Sequence, residues 1–277
     1  MLAAILNKFR IWSPAQRSMI ARFPDHTEIA SRAVAVQQDH NQIVAFYTKD
    51  SFYEREAERM IASVTRLGLN VSSTPIVSTG SWVRNASLKA EFLFNERRSK
   101  RGPLLYVDVD AVFHRDPWPA LAELKGDVAV YYEPSDGRLI AATILINDTP
   151  AAQQLMEAWK DRCNSNPDIW DQVVLQEIIE ENAASGVLQI DVRRLSSSFC
   201  WIFDRVSNEP VETVYIEQLQ ASREATRKKR WFGRINKRLA RRRERVEEIE
   251  RILFAPVQES EFANAQSTVP ENLKPVD

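Results

Sequence analysis

The run LLYVDVD, Leu104 to Asp110, constrains this chain more than any other stretch. Leu104 to Val107 reads as a buried strand, apolar on both faces in the manner of a strand inside a parallel sheet. Two aspartates follow, separated by Val109. Side chains two apart on a strand point the same way, so continued alternation puts Asp108 and Asp110 on one face. Two ionised carboxylates on one face repel, and they need a counter-charge or a proton. A divalent cation is the usual answer, and oxygen donors suit Mg2+ or Mn2+. Two carboxylates leave most of an octahedral shell open to water or to the oxygens of a diphosphate. The competing reading is structural: aspartates that cap a loop or pair with Arg84, Arg97 or Arg98.

Strands and helices alternate around this run. QIVAFYT (42–48) reads as a strand, and Phe52, Ala57, Met60, Ile61, Val64 and Leu67 then fall on one helical face, with Gly68 where a C-terminal cap belongs. TPIVST (74–79) is a second strand. Ser81 caps a helix that carries Val83, Ala86, Ala90 and Phe94 at helical spacing. Asp116-Pro117 has the form of a helix start. DVAVYYE (127–133) and LIAATILIN (139–147) read as a strand pair joined by the turn PSDGR. Helices are expected over 150–162 and about 170–182, and strands over 187–192 and 211–217. This order predicts an α/β domain over 41–222 with a mixed, mostly parallel sheet flanked by helices, Rossmann-like in layout. Ligands in such sheets bind at the carboxyl ends of strands near a switch in strand order, the position of the two aspartates.

Composition narrows the function classes. Glycine is scarce, 7 in 277 residues, and neither GxGxxG nor GxxxxGK[ST] occurs, which argues against a dinucleotide-binding dehydrogenase or a P-loop NTPase. Two isolated cysteines, Cys163 and Cys200, form neither a disulfide framework nor a zinc cluster. With three histidines, His26, His40 and His114, a histidine-built site is not expected. The apolar start MLAAILNKF is too short for a secretory core or a membrane span, so a cytoplasmic protein is the default.

Charge is unevenly placed. Between Arg223 and Arg245 stand twelve Lys/Arg and two Glu, although the whole chain nets −1. Trp231, Ile235, Leu239, Val246, Ile249 and Leu253 recur near helical spacing, so 223–255 reads as a basic amphipathic helix. It would pack on the domain or on another subunit, or lie on an anionic membrane surface. Nucleic acid is not expected, since clustered charge is the only feature that favours it. Residues 1–40 read as a partly helical leader and 256–277 as a disordered tail.

In motif order, residues 42–222 resemble the nucleotide-diphospho-sugar transferases of the GT-A fold. These are DxD glycosyltransferases related to the glycogenin and bacterial lipopolysaccharide galactosyltransferase group. LLYVDVDAVFHRDP resembles their DxD segment, VAFYTKDSFY their first strand and nucleotide loop, and GSWVRNASLKAEFLF the helix before the DxD strand. AATILIN resembles the strand lining the acceptor side, and WDQVVLQEII the segment in which an Asp-Gln pair faces the sugars. The resemblance implies metal-dependent transfer from a nucleoside-diphosphate sugar, a UDP-sugar above all, to a saccharide or lipid-linked acceptor. Surface polysaccharide synthesis is the implied setting.

The same resemblance implies roles by position. Tyr47 and Thr48 would meet the base or ribose, and Arg84, Asn85 and Lys89 the nucleotide or donor sugar. Asp108 and Asp110 would hold the metal, Asp108 also the ribose. Asn147, Asp171 and Gln172 would face the sugars, with Asp171 and Gln172 at the reacting centre. Gln218 stands where a third, histidine ligand is expected, and Arg223 and Lys228 would reach the diphosphate. Val173 departs from the aspartate often found after Asp-Gln. The resemblance leans to retention of anomeric configuration. A degenerate sugar-nucleotide-binding or membrane-surface scaffold is the non-enzyme alternative, and a nucleotidyltransferase the competing enzyme class.

Each supporting residue also has a plain reading: Asp171 a helix cap, Asn147 turn chemistry, Arg84 and Lys89 solvated helix surface, His114 structural. Trp82, Trp170 and Trp201 are either a sugar-stacking platform or core.

Overall fold

The computed structural model describes residues 41–205, 209–225 and 237–254. The expected leader over 1–40, the tail over 256–277, and Lys228, Trp231 and Ile235 lie outside these residues. In chain order the elements are β1 (Gln42–Thr48), α1 (Tyr53–Arg66), β2 (Val71–Ile76), α2 (Trp82–Ser99), β3 (Leu104–Val107), β4 (Ala111–Phe113), α3 (Trp118–Leu121), β5 (Val128–Tyr132) and β6 (Leu139–Ile146). They continue with α4 (Pro150–Ser165), α5 (Asp171–Ser185), β7 (Val192–Leu195), β8 (Trp201–Ile202), β9 (Ile216–Gln218), α6 (Ser222–Ala225) and α7 (Lys237–Leu253).

The main sheet runs β2-β1-β3-β6-β5-β7. β1 is parallel to β2 and β3, β5 is parallel to β7, and β6 lies antiparallel between β3 and β5. This is the mixed, mostly parallel sheet that the sequence predicts. Alternation along β1 and β3 feeds two cores. Val44, Leu104 and Tyr106 pack with Trp159, Leu155 and Ile178 beneath the α2, α4 and α5 side, whereas Ile43, Ala45, Leu105 and Val107 pack with Met60 and Val64 of α1.

β3 is shorter than expected. It ends at Val107, and Asp108 to Ala111 form a turn closed by Ala111 N–H donating to Asp108 O at 3.0 Å. Aspartate resists the pleated ladder and favours turns, so the strand stops where the carboxylates begin. The chain then enters a second small sheet, β4-β9-β8. Two other strands shrink. Residues 187–191 form no strand, because Asn182 at the end of α5 supplies the partner that a ladder would have given, its Oδ1 accepting from Leu188 N–H at 3.1 Å. The expected 211–217 strand reduces to Ile216–Gln218.

α7, the described part of the basic segment, packs on the domain. Leu239 and Ile249 are buried, and Arg242 and Arg245 are buried with them. Arg242 meets Glu56 of α1, which Arg59 also holds at 2.6 Å. Arg245 forks onto Glu217 of β9 at 2.8 and 2.9 Å, and His114 Nε2 meets the same carboxylate at 2.8 Å. Burial alone would push Glu217 up, but Arg245 and His114 outweigh it and hold the carboxyl at about 2. Two of the segment's arginines therefore answer buried glutamates of their own chain.

Candidate active site

A cavity of about 330 Å³ opens at the carboxyl ends of β1 and β3 and the amino end of β6. Tyr47 and Thr48 line it from the end of β1, Asp108 and Asp110 from the turn after β3, and Asp171 and Gln172 from the start of α5. Lys89 and Asn85 line it from α2. With Trp82 and Trp170, ten candidate-site positions singled out in the sequence therefore meet in one space. The two aspartates meet there through a turn between two sheets, and not through strand alternation.

Lys89 is the centre of this cluster. The reading of Lys89 as solvated surface does not hold, since it is 6% exposed. Its ammonium lies 3.0 Å from Asp108 Oδ1 and 3.2 Å from Asp171 Oδ2, and donates to Ala141 O at 2.9 Å. Burial pulls the ammonium pKa down, but the two carboxylates outweigh it and hold it above the usual value. Tyr106 adds a second donor: its hydroxyl gives a 2.6 Å hydrogen bond to Asp108 Oδ1. Burial raises the Asp171 carboxyl, and Lys89 works against that rise. Asp171 is the first residue of α5, with Trp170 in the cap position, so it is not the helix cap.

Asp110 is held from the other side. Its Oδ2 accepts from Ala221 N–H at 2.6 Å, and its backbone carbonyl accepts from Leu219 N–H at 3.1 Å. Burial first, then the neighbouring Asp108 charge, pushes the Asp110 carboxyl up to about 6, against an ordinary 3.8. A carboxyl raised by its neighbour is a site that a cation would stabilise.

Other expected residues are placed elsewhere. Asn147 follows the far end of β6, where Leu104 pairs with Ile146, and its Nδ2 donates to Gly126 O at 2.7 Å. β6 runs antiparallel to β3, so its last residue lies at the end of the sheet remote from Asp108. Arg223 forks onto Asp204 at 2.7 and 2.8 Å and does not line the cavity. Arg84 forks onto Asp168 at 2.9 and 3.2 Å outside it. Asn85 lines the cavity, but its side chain ties the 78–81 loop through Thr79 and Ser78. His114 is buried against Glu217, and Trp201 is in the core.

Sequence reading missed several lining residues. Tyr106 carried a signal, since it stands two before Asp108 in the same strand. Tyr53, Arg138, Arg205 and Gln220 carried none. Arg205 is paired with the buried Glu133, and Gln220 adopts φ +57°, a left-handed conformation uncommon outside glycine.

For a divalent cation the described residues offer Asp108 and Asp110, which face the cavity. Among them no cluster of three His, Cys, Asp or Glu side chains forms a metal site. Gln218 stands behind the turn, paired with Ala111 across β4 and β9. It is fully buried, and its Nε2 donates to Thr143 Oγ1 at 3.0 Å. Its Oε1 is buried without a hydrogen-bond partner, an acceptor that a hard cation would satisfy. The two cavity-facing carboxylates fit Mg2+ or Mn2+, whereas Gln218 does not line the cavity.

A mixed sheet with a carboxylate-lined cavity at the carboxyl ends of its strands defines an α/β protein with its candidate site at the strand ends. Residues 99–231 match the family model described as nucleotide-diphospho-sugar transferase. No curated protein matches the chain. Solved structures similar to it include a glycosyltransferase involved in glycosylation of the major capsid of PBCV-1, with 12% identity, 76% of this chain and 98% of that one covered, and a TM-score of 0.49. The apo form of the glycosyltransferase GlyE of Streptococcus pneumoniae gives 13% identity and a TM-score of 0.49 over 82% of this chain, which spans 64% of GlyE. The galactosyltransferase LgtC, in complex with donor and acceptor sugar analogues, gives 12% identity and a TM-score of 0.47, with 80% and 99% covered.

Proposed function

We propose that the protein moves a sugar from a nucleoside-diphosphate sugar, a UDP-sugar above all, to a hydroxyl of a saccharide or lipid-linked acceptor. Its setting would be surface polysaccharide synthesis at the cytoplasmic side, and it would use Mn2+ or Mg2+. One observation carries this reading: Asp108, Asp110, Lys89, Asp171 and Gln172, from three separate elements, line a single cavity at the carboxyl ends of the strands.

Tyr47 and Thr48 would take the base and ribose at the end of β1. Asp108 and Asp110 would hold the cation, which neutralises the departing diphosphate when bound. Lys89 fixes Asp108 and Asp171 relative to each other, so the metal-side and sugar-side carboxylates share one anchor. Asp171 and Gln172 would face the anomeric carbon and stabilise its positive charge as the bond to phosphate breaks. Asp171 Oδ2 is already engaged by Lys89 and is not free to take a proton from an attacking hydroxyl. This favours retention, with the acceptor proton passing to the departing phosphate oxygen. Peripheral membrane contact through 223–254 would fall to the cations other than Arg242 and Arg245, which face the domain.

Hydrolysis of a panel of UDP- and GDP-sugars, with and without Mn2+, tests the proposal. Mn2+-dependent turnover abolished in Asp110→Ala is expected. Mn2+-dependent binding with no turnover would point to the degenerate binding protein. Neither turnover nor metal-dependent binding, with Asp110→Ala like wild type, would sink the reading.

A further inference from the structure

Trp82 and Trp170 stand together at the mouth of the cavity. Their ring centroids are 5.4 Å apart and the rings cross edge to face at 75°. Both line the cavity, and each is 43% exposed. Tryptophan has the largest apolar surface of any side chain, and two left open side by side form a patch with something to cover. Ile169 and Val173, close to Trp170 in the chain, are exposed as well.

The corner is built and held. Trp82 opens α2, and Trp170 occupies the cap position of α5, so the rings come from the starts of two separate helices. Trp82 Nε1 donates to Tyr53 Oη at 3.3 Å. The Arg84–Asp168 fork ties the two segments, and Ser87 Oγ donates to Ile169 O at 3.2 Å. A surface fixed before binding loses little freedom when a ligand arrives.

We infer that this corner is the acceptor platform, stacking one pyranose ring of an acceptor saccharide. A pyranose carries C–H bonds on one face and hydroxyls around its rim. One indole face takes the C–H face, the second bounds it edge-on, and the Gln172 amide and the Arg84–Asp168 fork lie beside it for the hydroxyls. The position selects the acceptor over the nucleobase. Trp170 directly precedes Asp171 and Gln172, whereas Tyr47 and Thr48 mark the base end at β1. The half-exposed corner also suits a second substrate that enters from solvent once the donor fills the cavity. This inference rests on the function proposed above.

Saturation-transfer NMR on the complex with UDP and Mg2+ tests it, with methyl α- and β-glucosides and galactosides, lactose and maltose as probes. Saturation concentrated on the C–H protons of one ring face is expected for at least one probe. Trp82→Ala and Trp170→Ala should weaken that binding about tenfold, the usual loss for a truncated central tryptophan, while UDP affinity stays within about twofold. Trp170→Phe, which keeps an aromatic face, should retain part of the binding and serves if the alanine variant does not fold. The platform is overturned if no probe is saturated in the wild type, if the variants bind probes normally, or if UDP affinity falls in proportion, which would mark a nucleobase stack. Failure of wild-type protein to bind UDP at all would instead overturn the function on which the platform rests.

Discussion

Lys89 and Asp171 form a buried ion pair, Nζ to Oδ2 at 3.2 Å, that links the middle of α2 to the first residue of α5. The same ammonium reaches Asp108 at 3.0 Å. Lys89→Met would leave two carboxylates without their cation. Removing one partner of a buried pair destabilises by about 3–5 kcal/mol, and a loss of that size is expected in denaturant unfolding. Adding Asp171→Asn to Lys89→Met should recover part of it. Full additivity of the two changes would show that the pair is not coupled.

Tyr106→Phe removes one hydroxyl and little else. Its 2.6 Å hydrogen bond to Asp108 is charge-assisted, so a stability loss of about 1.5–3 kcal/mol is expected. Mn2+ affinity, read by calorimetry, should also change, because Asp108 loses the donor that orients it. A variant with wild-type stability and wild-type Mn2+ affinity would show that the bond matters to neither.

Glu217 predicts an acid limb. An ordinary glutamate at 4.5 is held at about 2 here, in a fully buried site. Its contribution is complete above about pH 4.5 and is lost as pH falls toward 2, and the difference corresponds to about 3 kcal/mol. Chemical unfolding across that window should show the decline, and Glu217→Gln should flatten it. An unchanged slope in the variant would remove Glu217 from the account.

Gly126 gives a control remote from the cavity. It sits at φ +133°, and an added Cβ would come 2.8 Å from Arg193 Cγ and 3.0 Å from Asp191 O. Gly126→Ala should cost about 1–3 kcal/mol through strain and crowding. UDP affinity of the folded variant should match wild type, since Gly126 lies with Asn147 at the opposite end of the sheet.

Local pattern carried the sheet and helices because burial imposes period 2 or 3.6 on the residues themselves. Ser81 illustrates it: the expected cap accepts from Arg84 N–H at the start of α2. Asp108, Asp110, Asp171 and Gln172 were legible because carboxylates ending an apolar strand, and a polar pair opening a helix, break the local pattern. Asn147 was misplaced because strand direction is a property of pairing, which one segment cannot encode. β6 reverses between β3 and β5, and its last residue goes to the far end. Lys89 read equally well as surface, since nothing in α2 announces that Asp108 and Asp171 will converge on it. Arg223 and Arg245 followed the same rule: a cation's partner in the fold is invisible in its neighbours along the chain.

The matched family segment stops at residue 231, yet Arg245 of α7 lies beyond it and neutralises Glu217 inside it. The edge of the family match and the edge of the packed domain therefore fall at different residues. A protein trimmed at residue 231 would leave Glu217 buried without its arginine fork, and insolubility on trimming would say nothing about catalysis.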